Sequence, residues 1–160
     1  MKQNDICNRR KRPLGGGGIM LWGMVLPVGL IAVKELNGKV NSEKYFRLLE
    51  TFAVPCMKLN LNRGFNFVQD NAPIHSSKKT TTFLSNEMFS VLKWPALFPD
   101  INIMENIWKM MSDIIYNHNQ PQNKEELKRK IDDAVLIINT ERRETIVGLY
   151  KGFRMRLKSL

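Results

Sequence analysis

The apolar run IMLWGMVLPVGLIAV, residues 19–33, constrains the fold of this chain more than any other segment. Its 15 residues are short for a membrane span, which needs about 20 apolar residues. Pro27 and Gly29 also divide the run at the point where a hairpin would turn. We therefore expect two strands, at about residues 19–26 and 29–36, and no membrane partner.

The rest of the chain alternates between helix and strand patterns. After the turn Asn37-Gly38 we expect a helix from about Ser42, which Pro55 should kink or end. The elements predicted after it are a strand at 65–70, a helix from about Ser76 to Met88, a strand at 89–94, a helix at about 103–117 and two further helices. This order predicts an α/β fold in which a mixed sheet is flanked by helices.

Apolar residues at helical spacing predict the buried face of three of these helices. The residues expected on these faces are Tyr45, Leu48, Leu49, Phe52 and Cys56 in the first helix, Leu127, Ile131, Val135 and Ile138 in the penultimate helix, and Ile146, Leu149, Tyr150, Phe153 and Leu157 in the last.

The segment FVQDNAPIHSSKK, residues 67–79, places an acid at the end of a predicted strand. Pro73 prevents the strand from continuing, and Asp-Asn-Ala-Pro is also ordinary turn chemistry, in which Asp70 bonds its own backbone. The alternative is functional, because α/β enzymes present catalytic or metal-binding groups at the carboxyl ends of strands. This segment alone leaves both interpretations open.

A second acid, Glu105, lies in WPALFPDINIMENIW, residues 94–108. Asn102 can cap the helix that begins here, and Glu105 can reach back to it in a capping box. That structural role would be sufficient if the segment stood alone. It does not, because 34 residues, 71–104, separate Glu105 from Asp70.

With this spacing the two segments resemble the catalytic domain of the Tc/mariner superfamily of DDE transposases. Members carry a strand ending in QDNAPxH and, after 34 intervening residues, the Glu of a WPAxSPDLNPIENLW-like block. Two upstream segments, GGGGIMLWG and VNSEKYFRLLE, are similar to the family's GGGSIMVWG and its NSxxYxxLL helix. The resemblance extends in order from about Gly15 to beyond Trp108 and more weakly to the end of the chain.

The resemblance implies a ribonuclease-H-like fold that gathers three carboxylates around two Mg²⁺ ions, with Mn²⁺ as a substitute. It implies metal-dependent DNA cleavage and strand transfer in cut-and-paste transposition. Asp70 would be the second catalytic and metal-binding acid and Glu105 the third. Asn71 and His75 match the motif beside the metal site, and we expect supporting or DNA-contact roles for them.

The family's first acid has no counterpart that matches. In the family it lies on the central first strand, in a phrase like FSDE, upstream of the glycines. Here 14 residues precede Gly15, and their only acid, Asp5, lies in the polar KQNDIC. We expect impaired activity, since this strand and the end-reading helix-turn-helix domains are expected to be absent. The two strands that flank this first strand in the family could then pair directly or remain loose.

Two further departures from the family motif point the same way. Ile103 stands where the family usually has Pro, and Phe98 stands where it usually has Ser.

Since the resemblance begins at about Gly15, we divide the chain into a basic tail, residues 1–14, and a partial DDE transposase catalytic domain, residues 15–160, with extra C-terminal helices.

Charge predicts the partner. The chain has 25 Lys plus Arg against 15 Asp plus Glu, a net charge of +10 and a pI near 9.8, so we expect double-stranded DNA as a partner. The alternative function is a basic, non-specific DNA-binding remnant, or a partner of a full-length transposase. A homodimer is the other assembly that we consider.

Three smaller features concern location and metal content. The basic cluster at residues 9–12 has three interpretations: a nuclear signal, a phosphate contact or a solvated tail. We expect a nuclear location. Cys7 and Cys56 are too few for a four-cysteine zinc site or a disulfide framework. His118 is expected at the surface, without a role.

Overall fold

The computed structural model describes residues 18–61, 66–70, 72–87, 90–92, 102–117 and 119–158. These residues form two compact units. The insert unit consists of the described residues of 37–99, and the hairpin unit consists of those of 18–36 and 102–158. The tail at residues 1–14 and the glycines 15–17 lie outside the described residues.

The hairpin unit begins with the two predicted strands. Strand β1 (Met20–Leu26) and strand β2 (Leu30–Leu36) pair antiparallel, with Leu26 opposite Leu30. The turn between them closes where Gly29, at a φ of +81°, donates its N–H to the carbonyl of Leu26 at 3.0 Å. The hairpin is therefore confirmed. No described helix combines the length and apolar composition needed to cross a bilayer.

Three helices complete the hairpin unit: α4 (Ile103–Tyr116), α5 (Lys124–Glu141) and α6 (Arg143–Lys158). Their apolar stripes and the hairpin bury one cluster, formed by Ile19, Ile31, Ile107, Met111, Ile115, Leu127, Ile131, Ala134, Ile138 and Ile146. The predicted stripes are confirmed at five buried residues: Leu127, Ile131, Ile138, Ile146 and Phe153. Leu149 and Tyr150 are half-buried, and the side chain of Leu157 lies outside the described part of the chain. In α5, however, Ala134 is buried and Val135 is half-buried, because the face that meets the core lies one position further back.

The insert unit begins with a helical segment whose winding changes. Helix α1 (Ser42–Leu48) leads into a π turn (Leu49–Ala53) and then into helix α2 (Val54–Asn60). The N–H of Val54 donates to the carbonyl of Leu49, five residues back. Pro55 has no N–H to donate, and the wider turn lies just before it. The helix does not end at Pro55, because α2 continues it to Asn60.

The π turn accounts for two side chains of this helix that are less buried than predicted. Phe52 and Cys56 were expected on the buried face, but both are half-buried. Ala53, Val54 and Met57 are buried instead. A π turn takes more residues per turn than an α-helix, so every position after it is rotated relative to the face that regular spacing predicts.

The insert unit continues with strand β3 (Asn66–Val68), helix α3 (Lys78–Asn86) and strand β4 (Ser90–Leu92). β3 and β4 are parallel, with Asn66 opposite Ser90, and α3 makes the crossover that parallel strands require. Gln69 and Asp70 follow β3 rather than belonging to it, so this strand ends earlier than predicted. Antiparallel and parallel pairing are thus both present, each in a two-stranded sheet of the described chain.

Candidate active site

Asp70 lies in a turn at the carboxyl end of β3. Its Oδ1 accepts a hydrogen bond from the N–H of Ala72 at 3.1 Å, and the N–H of His75 donates to the carbonyl of Ala72 at 2.8 Å. The predicted turn chemistry is therefore present. It does not exclude the functional interpretation, because the Asp70 side chain is still 44% exposed.

His75 packs beneath this carboxylate. The residue is buried, and its Nδ1 lies 2.5 Å from Oδ1 of Asp70 and 3.3 Å from the backbone oxygen of Asp70. Both neighbours are acceptors, so we assign the ring proton to Nδ1. The other ring nitrogen, Nε2, is buried and has no hydrogen-bond partner among the described residues.

Tyr45 packs against the imidazole of His75, and Gln69 links Tyr45 to the His75 backbone. The Tyr45 ring lies 4.3 Å from the His75 ring between centroids, and its hydroxyl donates to Oε1 of Gln69 at 2.7 Å. Nε2 of Gln69 donates in turn to the backbone carbonyl of His75 at 3.1 Å. Burial, and then the negative charge of Asp70, raise the pKa of the Tyr45 hydroxyl above its ordinary value.

Sequence reasoning missed the roles of these two residues. Tyr45 was placed on a buried helix face, and Gln69 was placed within the predicted strand at 65–70. The available signal was the polar end of each side chain, because a buried hydroxyl or amide needs a hydrogen-bond partner.

Glu105 lies in the first turn of α4. Oδ1 of Asn102 accepts from the N–H of Met104 at 3.0 Å, so Asn102 caps the helix as predicted. The reciprocal half of the predicted capping box is absent between these two described residues, because the Glu105 carboxylate makes no hydrogen bond to the N–H of Asn102. Instead the N–H of Glu105 donates to the carbonyl of Asn102 at 3.1 Å. The exposed carboxylate has no hydrogen bond or ion pair with any described residue.

Helix α4 is held against β1 through Gly23. A Cβ atom at Gly23 would lie 2.7 Å from Cε of Met104 and 2.7 Å from Cη2 of Trp108, so this close approach depends on glycine. Ile103 begins the helix and is buried, so the residue that replaces the family's Pro packs in the core. The helix therefore presents Glu105 away from the buried face.

The predicted site residues divide between the two units. Asp70 and His75 are brought together in the insert unit, and Glu105 belongs to the hairpin unit. Asn71, Phe98 and His118 lie outside the described residues. Within the part of the chain that the structure describes, no group of three or more His, Cys, Asp or Glu is arranged to hold a metal ion.

A family model described as "DDE superfamily endonuclease" matches residues 8–128. The chain belongs to this family. A relative of this DDE-family chain is the "Transposable element Tc3 transposase" of Caenorhabditis elegans, which is 33% identical over 110 residues. That match includes 69% of the present chain and 33% of the relative, so the chain spans about one third of the relative's length.

Solved structures of the Mos1 transposase share the fold of this chain. A Mos1 transposase paired-end complex with left transposon end matches 92% of the DDE-family chain and 48% of its own, with a TM-score of 0.63 and 21% identity. A Mos1 transposase catalytic domain with Raltegravir and Mg matches 82% of this chain and 74% of its own, with a TM-score of 0.55 and 20% identity. The predicted ribonuclease-H-like α/β fold and the Tc/mariner DDE assignment are confirmed.

Proposed function

We propose that this chain is part of a Tc/mariner transposase catalytic domain, whose activity is metal-dependent DNA cleavage and strand transfer in cut-and-paste transposition. The family match over residues 8–128 carries the proposal. Asp70 and Glu105 lie within that match, at the spacing of the family's second and third acids.

Each of the two acids offers a ligand that suits a hard divalent cation. Carboxylate oxygens are the ligands that Mg²⁺ prefers, and both side chains are exposed to solvent. Oδ2 of Asp70 makes no hydrogen bond to any described residue, so this oxygen is available to a metal. When bound, the ions activate the attacking water or hydroxyl and stabilise the leaving oxygen. A Mos1 catalytic domain solved with Mn supports Mn²⁺ as a substitute.

The chemistry implied by the family needs a third carboxylate. Before Gly15 the only acid is Asp5, which lies outside the described residues and in a segment unlike the family's first strand. We propose that the third acid comes from outside these 160 residues, either from a longer chain or from a second one. By itself the 160-residue chain should not cut DNA.

A fusion tests this proposal directly. A Tc/mariner amino-terminal segment carrying the FSDE strand is joined before Gly15, and nicking of supercoiled DNA is measured with Mg²⁺ and Mn²⁺. We expect metal-dependent nicking by the fusion, background nicking by the unfused chain, and loss of nicking in the fusion with Glu105→Gln. A folded fusion that still cannot nick DNA would contradict the assignment of Asp70 and Glu105.

The second candidate function is non-specific binding of double-stranded DNA, alone or as a partner of a full-length transposase. It is favoured by the net charge of +10 and by exposed cations on α5 and α6. Arg129, Lys151 and Arg154 are exposed and have no ion-pair partner among the described residues. Nicking by the fusion separates the two functions, since a remnant would bind DNA without cutting it.

Assembly and location belong to the same proposal. Light scattering of the chain with and without duplex DNA distinguishes a monomer from a homodimer, and co-purification with a full-length Tc/mariner transposase tests the mixed complex. We propose a nuclear location. Its test compares a fluorescent fusion of the chain with the same fusion carrying Ala at residues 9–12.

A further inference from the structure

We propose that His75 is a positioning residue, which holds Oδ1 of Asp70 so that Oδ2 is presented to the divalent cation. This inference rests on the proposed function, because it assigns a task within the same metal site. Its first support is the unequal use of the two carboxylate oxygens. Oδ1 accepts from the N–H of Ala72 at 3.1 Å and lies 2.5 Å from Nδ1 of His75. No described residue donates to Oδ2.

The second support is the rigidity of the imidazole. Rotation of the His75 ring is opposed by its burial, by the Tyr45 ring at 4.3 Å and by the contact of Nδ1 with the Asp70 backbone oxygen at 3.3 Å. The His75 backbone is fixed as well, because its carbonyl accepts from Gln69. A donor held from this many directions defines the orientation of the group that it contacts.

The third support is the state of Nε2. This nitrogen is buried and has no partner among the described residues, and a buried N–H without an acceptor carries its full desolvation cost. The arrangement therefore favours a proton on Nδ1, where the Asp70 carboxylate accepts it, and a bare lone pair on Nε2. Because Nδ1 of His75 and the N–H of Ala72 both contact Oδ1, Oδ2 is the carboxylate oxygen that remains without a donor among the described residues.

Two variants of His75 distinguish loss of the hydrogen-bond donor from loss of the ring's packing. In His75→Phe a ring remains against Tyr45 but the donor is lost. In His75→Asn the side-chain amide can donate from nearly the same place as Nδ1. Binding of Mn²⁺ to the 160-residue chain is measured by calorimetry, and the melting temperature of each variant reports its folding. We expect His75→Phe to weaken Mn²⁺ binding by about tenfold or more and His75→Asn to restore most of it, because partners of metal-binding groups typically change affinity by 10- to 100-fold.

A measurement without metal completes the test. Long-range proton–nitrogen correlation NMR on histidine-labelled chain shows which ring nitrogen carries the proton, and His118→Gln assigns the signals, since the chain has 2 histidines. We expect a protonated Nδ1 in His75 whose signal shifts in Asp70→Leu. A proton on Nε2 alone overturns the proposal even if no variant folds.

The outcomes also distinguish this proposal from the proposed function. If Mn²⁺ binding depends on Asp70 but is unchanged in His75→Phe, the positioning role is wrong and the metal site stands. If the chain's Mn²⁺ binding does not depend on Asp70, or if no Mn²⁺ binds, both the metal site and the role of His75 in it are wrong.

Discussion

The side-chain amide of Asn139 makes both hydrogen bonds that a neighbouring strand would make to Ile31. Oδ1 of Asn139 accepts from the N–H of Ile31 at 2.8 Å, and Nδ2 donates to the carbonyl of Ile31 at 3.0 Å. Asn139 of helix α5 thus satisfies the outward-facing backbone groups of Ile31 in β2, a strand that pairs with β1 on its other side. At this residue the side chain covers backbone groups that an edge strand would otherwise leave unpaired.

Asn139→Leu should destabilise the chain by roughly 2 kcal/mol, because both backbone groups of Ile31 lose a partner while part-buried. Urea denaturation measures the change in the free energy of unfolding. The control is Glu141→Gln, an exposed change on the same helix, for which about 0.5 kcal/mol or less is expected. Equal effects of the two substitutions would show that the amide does not stabilise the edge.

Gly29→Ala should destabilise the chain more than Gly38→Ala does. Both glycines have positive φ angles, +81° and +67°, so both substitutions introduce backbone strain. At Gly29 a Cβ would also lie 2.6 Å from the backbone oxygen of Arg143, whereas at Gly38 the nearest atom is a lysine Nζ at 3.6 Å. We expect about 1 kcal/mol for Gly38→Ala and a larger loss for Gly29→Ala. Thermal melts of both variants provide the measurement, and a reversed order would contradict the tight turn.

Stability should fall at alkaline pH because of Tyr45. Its pKa in the folded chain is above the ordinary value of 10.0, so the folded state holds the phenolic proton more tightly than the unfolded chain. This contribution is fully present below about pH 10 and is lost as the pH rises further. Tyr45→Phe should flatten the fall, and should cost about 1 kcal/mol at neutral pH through the lost bond to Gln69.

Denaturation curves between about pH 8 and pH 11 test the effect of Tyr45 against the ordinary phenol range. Burial also raises the pKa of the Cys56 thiol. The parent chain and each tyrosine variant therefore carry Cys56→Ala. Tyr150→Phe is the matched control for loss of a phenol elsewhere. An unchanged pH dependence in Tyr45→Phe would mean that its burial does not control alkaline unfolding.

Metal binding should be weak and should depend on Asp70 and Glu105 together. Two carboxylates provide few fixed ligands for Mg²⁺, which loses its water reluctantly, so Mn²⁺ should bind more measurably. Calorimetry compares the chain with Asp70→Asn and Glu105→Gln, and each substitution should abolish the signal. Retention of parental Mn²⁺ binding by both variants would exclude the pair as a metal site.

DNA binding should be steeply salt-dependent and show little sequence preference. The log–log slope of affinity against salt should fall by on the order of 0.9 for each cation removed from a phosphate. We therefore expect a shallower slope in the double variant Lys151→Gln, Arg154→Gln. The matched control is Arg47→Gln, Lys79→Gln, which removes two cations already paired with Glu43.

Filter binding over several salt concentrations provides these slopes. Undetectable binding at low salt, or strong discrimination between random duplexes, would contradict the proposed DNA contact. Equal changes in the two double variants would instead show that the exposed cations of α6 have no special part in it.

Local rules predicted the elements whose boundaries depend on single residues. Pro27 and Gly29 located the hairpin, and Asn102 located the start of α4, because each acts through neighbouring backbone. The π turn before Pro55 was not predictable from regular periodicity. Pro55 indicates that an N–H is missing, but not that the turn before it widens to an i→i−5 hydrogen bond.

The candidate site was predictable only in part, because a contact that supports it joins residues distant in sequence. The motif identified Asp70, Glu105 and His75, but not which carboxylate oxygen is engaged or what supports the imidazole. Tyr45 reaches Gln69 across 24 positions of sequence, and such a side-chain contact leaves no periodic trace. Only the three-dimensional packing reveals that one of the two supporting residues, Tyr45, comes from a helix remote in sequence.

The discontinuity of the hairpin unit has a consequence for synthesis on the ribosome. The insert unit is contiguous, whereas the bond between Ile31 and Asn139 joins positions 108 apart. Domains generally fold as units while the chain is elongating at about 5–20 residues per second. The insert unit can therefore fold first, while the hairpin waits several seconds for α5 to emerge. During that interval the backbone N–H and carbonyl of Ile31 on the outer edge of β2 have no Asn139 to pair with, so the nascent hairpin exposes an edge to which another chain could pair.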